Sequence, residues 1–289
     1  RNAEDKTQSM FFEQQGNTWQ RIEGIRNFNL QDPFMTTIID PKTGEKEIIF
    51  GGVKTWPNDS GWLSWKTVFY KGKTLKDFED AKPFAESADM MKDVRITQLQ
   101  DGKILVGYRS PQGGLSGYRY RDEGLPLMGF AALDHIDEFA GFISDDDQLR
   151  KYLIPDIFAP PAWGGINAMY LLEDGRVFVL AHIANRDEGT EKPPRHYYPM
   201  SFILDPTNMS VTDVNILLTV DSLSDPMDAL SRLVVDISEI PAKAIDLLDV
   251  IFSGGIVLDE ESGLAYFYGG MRDTVAIKVA ILWRLGLKI

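Results

Sequence analysis

One pattern occurs four times in this chain and narrows the folds open to it. A polar residue is followed by a β-prone run, a turn, and a second β-prone run ending near Gly, Arg or His. The copies are NLQDPFMTTIIDPKTGEKEIIFGG (29–52), DVRITQLQDGKILVGYR (93–109), INAMYLLEDGRVFVLAH (166–182) and, more loosely, DVIFSGGIVLDEESGLAYFYGG (249–270). Asp101-Gly102 and Asp174-Gly175 are strong hairpin signals, because Asp-Gly supplies the positive φ angles that tight turns need. Further β-prone runs at 62–72, 117–133 and 199–218 lie between the copies. Each repeat therefore holds about four strands, the make-up of a propeller blade.

The repeats predict an all-β chain, a five-bladed β-propeller that takes residues 1–289 as a single domain. Its blades start near 30, 92, 164 and 249. Ring closure between the N- and C-terminal strands supplies the fifth, from 274–282 and 9–24. Helix signals are few. The segment FAESADMMKD (84–93) reads as a short helix. The stretch 222–246 reads as an insertion with one or two helical turns, interrupted at Pro241.

Composition removes several function classes. A net charge of −13 disfavours nucleic acid and anionic membranes, which select clustered Lys and Arg. No run is long enough to span a bilayer. Cysteine is absent, which excludes a disulfide framework, a thiol nucleophile and zinc–thiolate sites. Three widely spaced histidines argue against a zinc site, so no metal and no organic cofactor is expected. Asp145-Asp146-Asp147 lacks the spaced ligands of a calcium loop and reads as a solvated loop. No signal peptide is visible, which reads as cytoplasmic. Neither a nucleophile elbow nor a phosphate-binding glycine loop occurs. Oligomeric state is not legible.

The residues that open the repeats are Asp32, Asp93, Asn167 and Asp249. In a propeller such positions line one axial funnel, and a carboxylate-rich cup suits a sugar. Paired carboxylates around a glycosidic bond supply an acid and a base or nucleophile. An Asp before a strand also serves as a plain turn residue, bonding its own backbone. Its recurrence at three of four repeats favours the functional reading. Lys92, Arg95, Arg109 and His182 fall at repeat-strand ends, and Arg195, His196 and Tyr197 form a further polar group. Trp163, beside Gly164-Gly165, is placed to stack on a sugar ring.

Several segments resemble a known family: LQDPF (30–34), MKDVRITQLQDGKI (91–104), WGGINAMYLLEDGRVFVLAHIA (163–184), RHYYPMSFILDP (195–206) and DVIFSGG (249–255). In the same order and over about 28–284, they are similar to the bacterial and protozoan family catalogued as domain of unknown function 1861. The resemblance implies a five-bladed propeller related to arabinanases, levansucrases and invertases and to the mannoside phosphorylases and mannosidases of glycoside hydrolase family 130. It implies a glycoside-active enzyme. Asp32 is then the base or transition-state stabiliser, Asp93 the general acid or the residue tuning it, and Asp249 a third carboxylate. Lys92 and Arg95 orient them, while His182, Arg195 and His196 bind an anion. If the anion is phosphate, inorganic phosphate is a co-substrate and the partner is an oligosaccharide or other glycoside. The chain departs from the family at Ala168, where an acidic residue often follows the Asn, and in AKAIDLLD before Asp249. These departures favour the alternative of a non-catalytic carbohydrate-binding propeller. A protein-interaction scaffold is the third reading.

Overall fold

Asp-Gly turns close hairpins at both predicted places in the computed structural model. Gly102 and Gly175 take φ of 87° and 86°. Asp101 and Asp174 each accept a hydrogen bond from the backbone N–H two residues on, at 3.1 and 3.0 Å. The longer turn after Asp40 works the same way, with Lys42 N–H donating to Asp40 Oδ1 at 2.7 Å and Gly44 at φ 71°. The structure describes residues 7–16, 18–59, 63–111, 126–187, 194–223, 249–259, 264–272 and 275–282. The expected insertion at 222–246 lies almost wholly outside them, as does 117–125 of the run 117–133. The chain divides into two compact units, 1–154 and 155–289.

The first unit holds two four-stranded antiparallel meanders. One is β3 (Gln31–Ile39), β4 (Lys46–Pro57), β5 (Leu63–Gly72) and β6 (Ala85–Glu86). The other is β7 (Arg95–Gln98), β8 (Ile104–Arg109), β9 (Met128–Leu133) and β10 (Leu153–Ile154). A small hairpin, β1 (Phe12–Gln15) and β2 (Thr18–Arg21), precedes them. Alternation along β4 and β5 sorts side chains to two faces. Phe50 opposite Tyr70 joins a cluster with Phe28, Leu30 and Phe78. Ile49 and Phe69, one position along, join a second cluster with Val94, Val106 and Tyr108. Gly52 lets the chain before β3 lie close on β4, since a Cβ there would stand 2.9 Å from Leu30 Cβ and 3.0 Å from the Gln31 carbonyl.

Two local readings are corrected. The segment 84–93 contains no helix. Ala85 and Glu86 pair with Phe69 and Val68, and strand addition at the free edge of β5 wins over weak helix propensity. The acidic run at 145–147 is not a bare loop either. Asp145 caps α2 (Asp146–Arg150), accepting from the N–H groups of Asp147 and Gln148 at 2.9 and 3.2 Å. Together with α1 (Phe139–Ile143), this excursion buries Phe139, Phe142, Ile143 and Leu149 in the core.

The second unit begins with a third meander, β11 (Trp163–Leu171), β12 (Val177–Arg186), β13 (Arg195–Asp205) and β14 (Ser210–Ile216). A fourth follows, β15 (Asp249–Asp259), β16 (Leu264–Met271) and β17 (Val275–Leu282). Parallel pairing of His196 with Asp249 and Tyr197 with Val250 joins β13 to β15. Leu180, Ile203, Ile251 and Phe267 pack in its core. No described helix is long and apolar enough to cross a membrane.

Candidate active site

Two of the three predicted carboxylates share a site in the first unit. Asp32 sits in a register irregularity of β3 between Gln31 and Phe34, and Asp93 lies two residues before β7. Both have left-handed backbone, φ 47° and 59°. Few non-glycine residues adopt that region, and Asp and Asn are among those enriched in it. The two acids thus share one backbone conformation near the start of the first strand of their meanders.

Hairpin register explains the partner of Asp93. Arg95 faces Gly107 across β7 and β8, so two residues outward Asp93 meets Arg109. Arg109 Nη1 lies 3.1 Å from Asp93 Oδ2, with side-chain exposures of 6% and 1%. The guanidinium thus sets a fixed positive charge against this buried carboxylate. The Arg95 guanidinium lies over the Phe34 ring at 4.5 Å and donates to the Val94 carbonyl at 2.9 Å. Asp32 is partly accessible, yet protein surrounds it densely enough that burial is the main influence on its carboxyl and raises its pKa. The negative charge of Asp93 raises it further, while Lys92, Arg95 and Arg109 pull it down. The net direction is upward, so Asp32 retains a proton to higher pH than an ordinary aspartate. One carboxylate, Asp93, is held in a buried ion pair, the other, Asp32, has its pKa raised, and three cations stand near.

The second unit holds two further groups. Asn167 is the extra residue of a β-bulge, because Ile166 pairs with Ala181 and Ala168 with Leu180. Its side-chain oxygen lies 2.8 Å from His182 Nδ1, and both residues are buried. An amide oxygen can only accept, so the proton of this contact sits on Nδ1. The imidazole packs beside Phe252 and Tyr197, at centroid distances of 4.9 and 5.8 Å. Trp163 meets Tyr197 edge-on at 6.3 Å and carries the Arg186 guanidinium over its ring at 5.4 Å. Gly164 permits the close approach of β12: a Cβ there would stand 2.1 Å from the His182 carbonyl oxygen. Ala168 packs against the apolar core, so its position serves packing here.

Asp249, His196 and Tyr198 form the other group. His196 Nδ1 lies 2.8 Å from Asp249 Oδ2 and its Nε2 3.0 Å from Asp187 Oδ1, and Tyr198 donates to the same oxygen of Asp249. Both imidazole nitrogens are committed to carboxylates, so the anion-binding role expected of His196 does not fit this arrangement. Arg195 is exposed, opposite Arg186 in the ladder. Asp249 is also not the repeat equivalent of Asp32. It opens β15, whereas the irregular register of that strand falls between Ser253 and Gly255, at Gly254. Asp187 and Arg186 were not anticipated. Their signal is the antiparallel β12–β13 register, which sets the polar end NRD beside RHYY.

The hydrogen bond to Asp249, seconded by that to Asp187, raises the pKa of His196 against an opposing contribution from burial. A raised imidazole pKa means that the folded state binds the proton more tightly. This contribution is complete below the unfolded value near 6.5 and is lost as pH rises through the folded value. Urea midpoints of wild type and His196→Asn should therefore differ most at pH 6 and converge under alkaline conditions. Equal pH dependence in the two proteins would show that the ion pairs do not form in solution.

Among the described residues no group of three or more His, Cys, Asp or Glu is placed to hold a metal. The chain is similar to MPT-4, a mannose phosphorylase from Leishmania mexicana whose structure holds a phosphate ion. Identity is 28% over 95% of this chain and 74% of that one, with a TM-score of 0.71. It is also similar to MPT-1, a GDP-Man-dependent mannosyltransferase from the same organism, at 25% identity over 95% and 75% with a TM-score of 0.66. A hypothetical protein from Leishmania major matches at 25% identity over 97% and 77%, TM-score 0.67. No curated protein matches the sequence. The model of the family described as protein of unknown function DUF1861 matches residues 1–283, and the chain belongs to that family.

Proposed function

We propose that this protein is a carbohydrate-active enzyme that transfers a mannosyl group between a glycoside and inorganic phosphate at the Asp32–Asp93 cluster. One observation carries the reading: Asp93 is buried and tied to Arg109, while neighbouring Asp32 has its pKa raised. Hydrolysis needs a second carboxylate as base or nucleophile. An ion-paired, buried Asp93 is poorly disposed to be either. Phosphate brings its own negative charge and needs no base. Asp32 donates its proton to the glycosidic oxygen as the C–O bond breaks. A phosphate oxygen attacks the anomeric carbon, giving a sugar phosphate and a free acceptor sugar. Lys92 and Arg95 attract the anion, and burial, with a smaller contribution from Asp93, favours the protonated form of Asp32. Likeness to a mannose phosphorylase over most of the chain supports the sugar and the nucleophile.

In this reading the meanders are blades of a five-bladed propeller, the fifth built from the terminal strands. Asn167, His182, Tyr197 and Trp163 are assigned to sugar binding, and Asp249 to holding His196. Incubation with mannobiose tests the function. Mannose phosphate should appear only when inorganic phosphate is present. Release of free mannose alone, independent of phosphate, would replace phosphorolysis by hydrolysis, and no turnover would return the protein to the sugar-binding alternative.

A further inference from the structure

The first meander carries a cleft on the face that packs Phe50 and Tyr70. Cross-strand register puts Lys54, Val68 and Tyr70 on that face, and Glu86 pairs with Val68 beside them. The segment 26–31 runs across it, held close by Gly52. Between them is a cavity of about 390 Å³, lined among others by Arg26, Asn29, Gln31, Lys54, Tyr70 and Glu86. Its size falls within the range of small-ligand sites, toward the lower end. Asp32, Asp93, Arg95 and Arg109 do not line it.

The chemistry of this lining is specific. Amides of Asn29 and Gln31 offer both donors and acceptors. Glu86 supplies a carboxylate that it shares with Lys66 at 3.3 Å. Lys54 is exposed and forms no salt bridge among the described residues. Arg26 is fixed, its guanidinium lying 4.6 Å from the Phe28 centroid and donating to the Ala81 carbonyl at 2.6 Å. Leu30, Val68 and Tyr70 add an apolar wall. Arg26 and Lys54 stand beside the carboxylate of Glu86, so the lining matches neither a strong anion nor a strong cation throughout, and its amides suit a polar ligand. Interleaved donors and acceptors against an apolar wall match vicinal hydroxyls on a ring with C–H faces.

We propose that this cleft is a second binding site, for a neutral mono- or disaccharide, separate from the Asp32–Asp93 cluster. The inference stands on the lining of the cleft and does not rest on mannosyl transfer being the activity. Titration of the intact protein with mannose, mannobiose, maltose and cellobiose, followed by side-chain amide NMR signals, tests it. At least one sugar should shift Asn29 and Gln31 saturably. Asn29→Ala/Lys54→Ala, which changes two exposed residues, should weaken that binding by about tenfold or more, as expected for lost polar contacts. Lys54→Ala alone should act in the same direction. Asp32→Asn should leave the shifts in place. Absence of any saturable shift overturns the proposal, as do shifts that survive the double variant or vanish in Asp32→Asn.

Discussion

Asp32→Asn should lower turnover of a mannobiose substrate by about 10²–10⁴-fold, the range that general acid catalysis contributes. The loss should be far smaller with an activated aryl mannoside, whose leaving group departs without a proton. Asparagine keeps the shape of the side chain and tolerates the left-handed backbone at φ 47°. Only the proton is removed. In the wild type, activity should fall as pH rises through the raised pKa of Asp32, because the acid must be protonated. That limb should vanish in the variant. Stability should move the other way. Burial already opposes ionisation of Asp32, so a neutral amide should leave the fold at least as stable at neutral pH. Equal losses on both substrates would remove Asp32 from the role of acid.

Why some of this site was legible in the sequence, and some was not, follows from the range of the interactions. Asp101-Gly102 and Asp174-Gly175 set their hairpins locally, so strands on both sides could be placed. Counting outward from the first of these turns even pairs Asp93 with Arg109, because β7 and β8 are regular. The same count fails for Asn167 and His182. A bulge at Asn167 shifts the ladder by one residue, and nothing in INAMYL marks it. Contact between Asp249 and His196 depends on parallel pairing across a long intervening stretch, which local pattern does not encode. Repeat alignment therefore misplaced Asp249, and only the strand register points to Gly254. The helices after residue 136 were missed because α1 and α2 are five residues each, too short to show a helical period. The cap at Asp145 was their one readable sign.

Arg109→Met should destabilise the protein by about 3–5 kcal/mol, the cost of removing one partner from a buried ion pair. That is a large part of the 5–15 kcal/mol, roughly, that holds an ordinary domain. The argument rests on exposure: at 1% and 6%, neither Asp93 nor Arg109 recovers hydration when its partner is removed. A surface pair would cost about 1 kcal/mol or less. Urea unfolding measures this as a lowered midpoint, and a cost near the surface value would mean that the pair is solvated. The double variant Asp93→Asn/Arg109→Met separates architecture from chemistry. With both charges gone, neither member of the Asp93–Arg109 pair is left facing a lost partner, and part of the lost stability should return. Asparagine again suits the backbone, here at φ 59°. Activity should return only in part, because burial still raises the pKa of Asp32 while the upward contribution of Asp93, larger than the downward one that leaves with Arg109, is gone. A double variant that regains both stability and turnover would reduce the pair to a structural strut and leave Asp32 to act unaided.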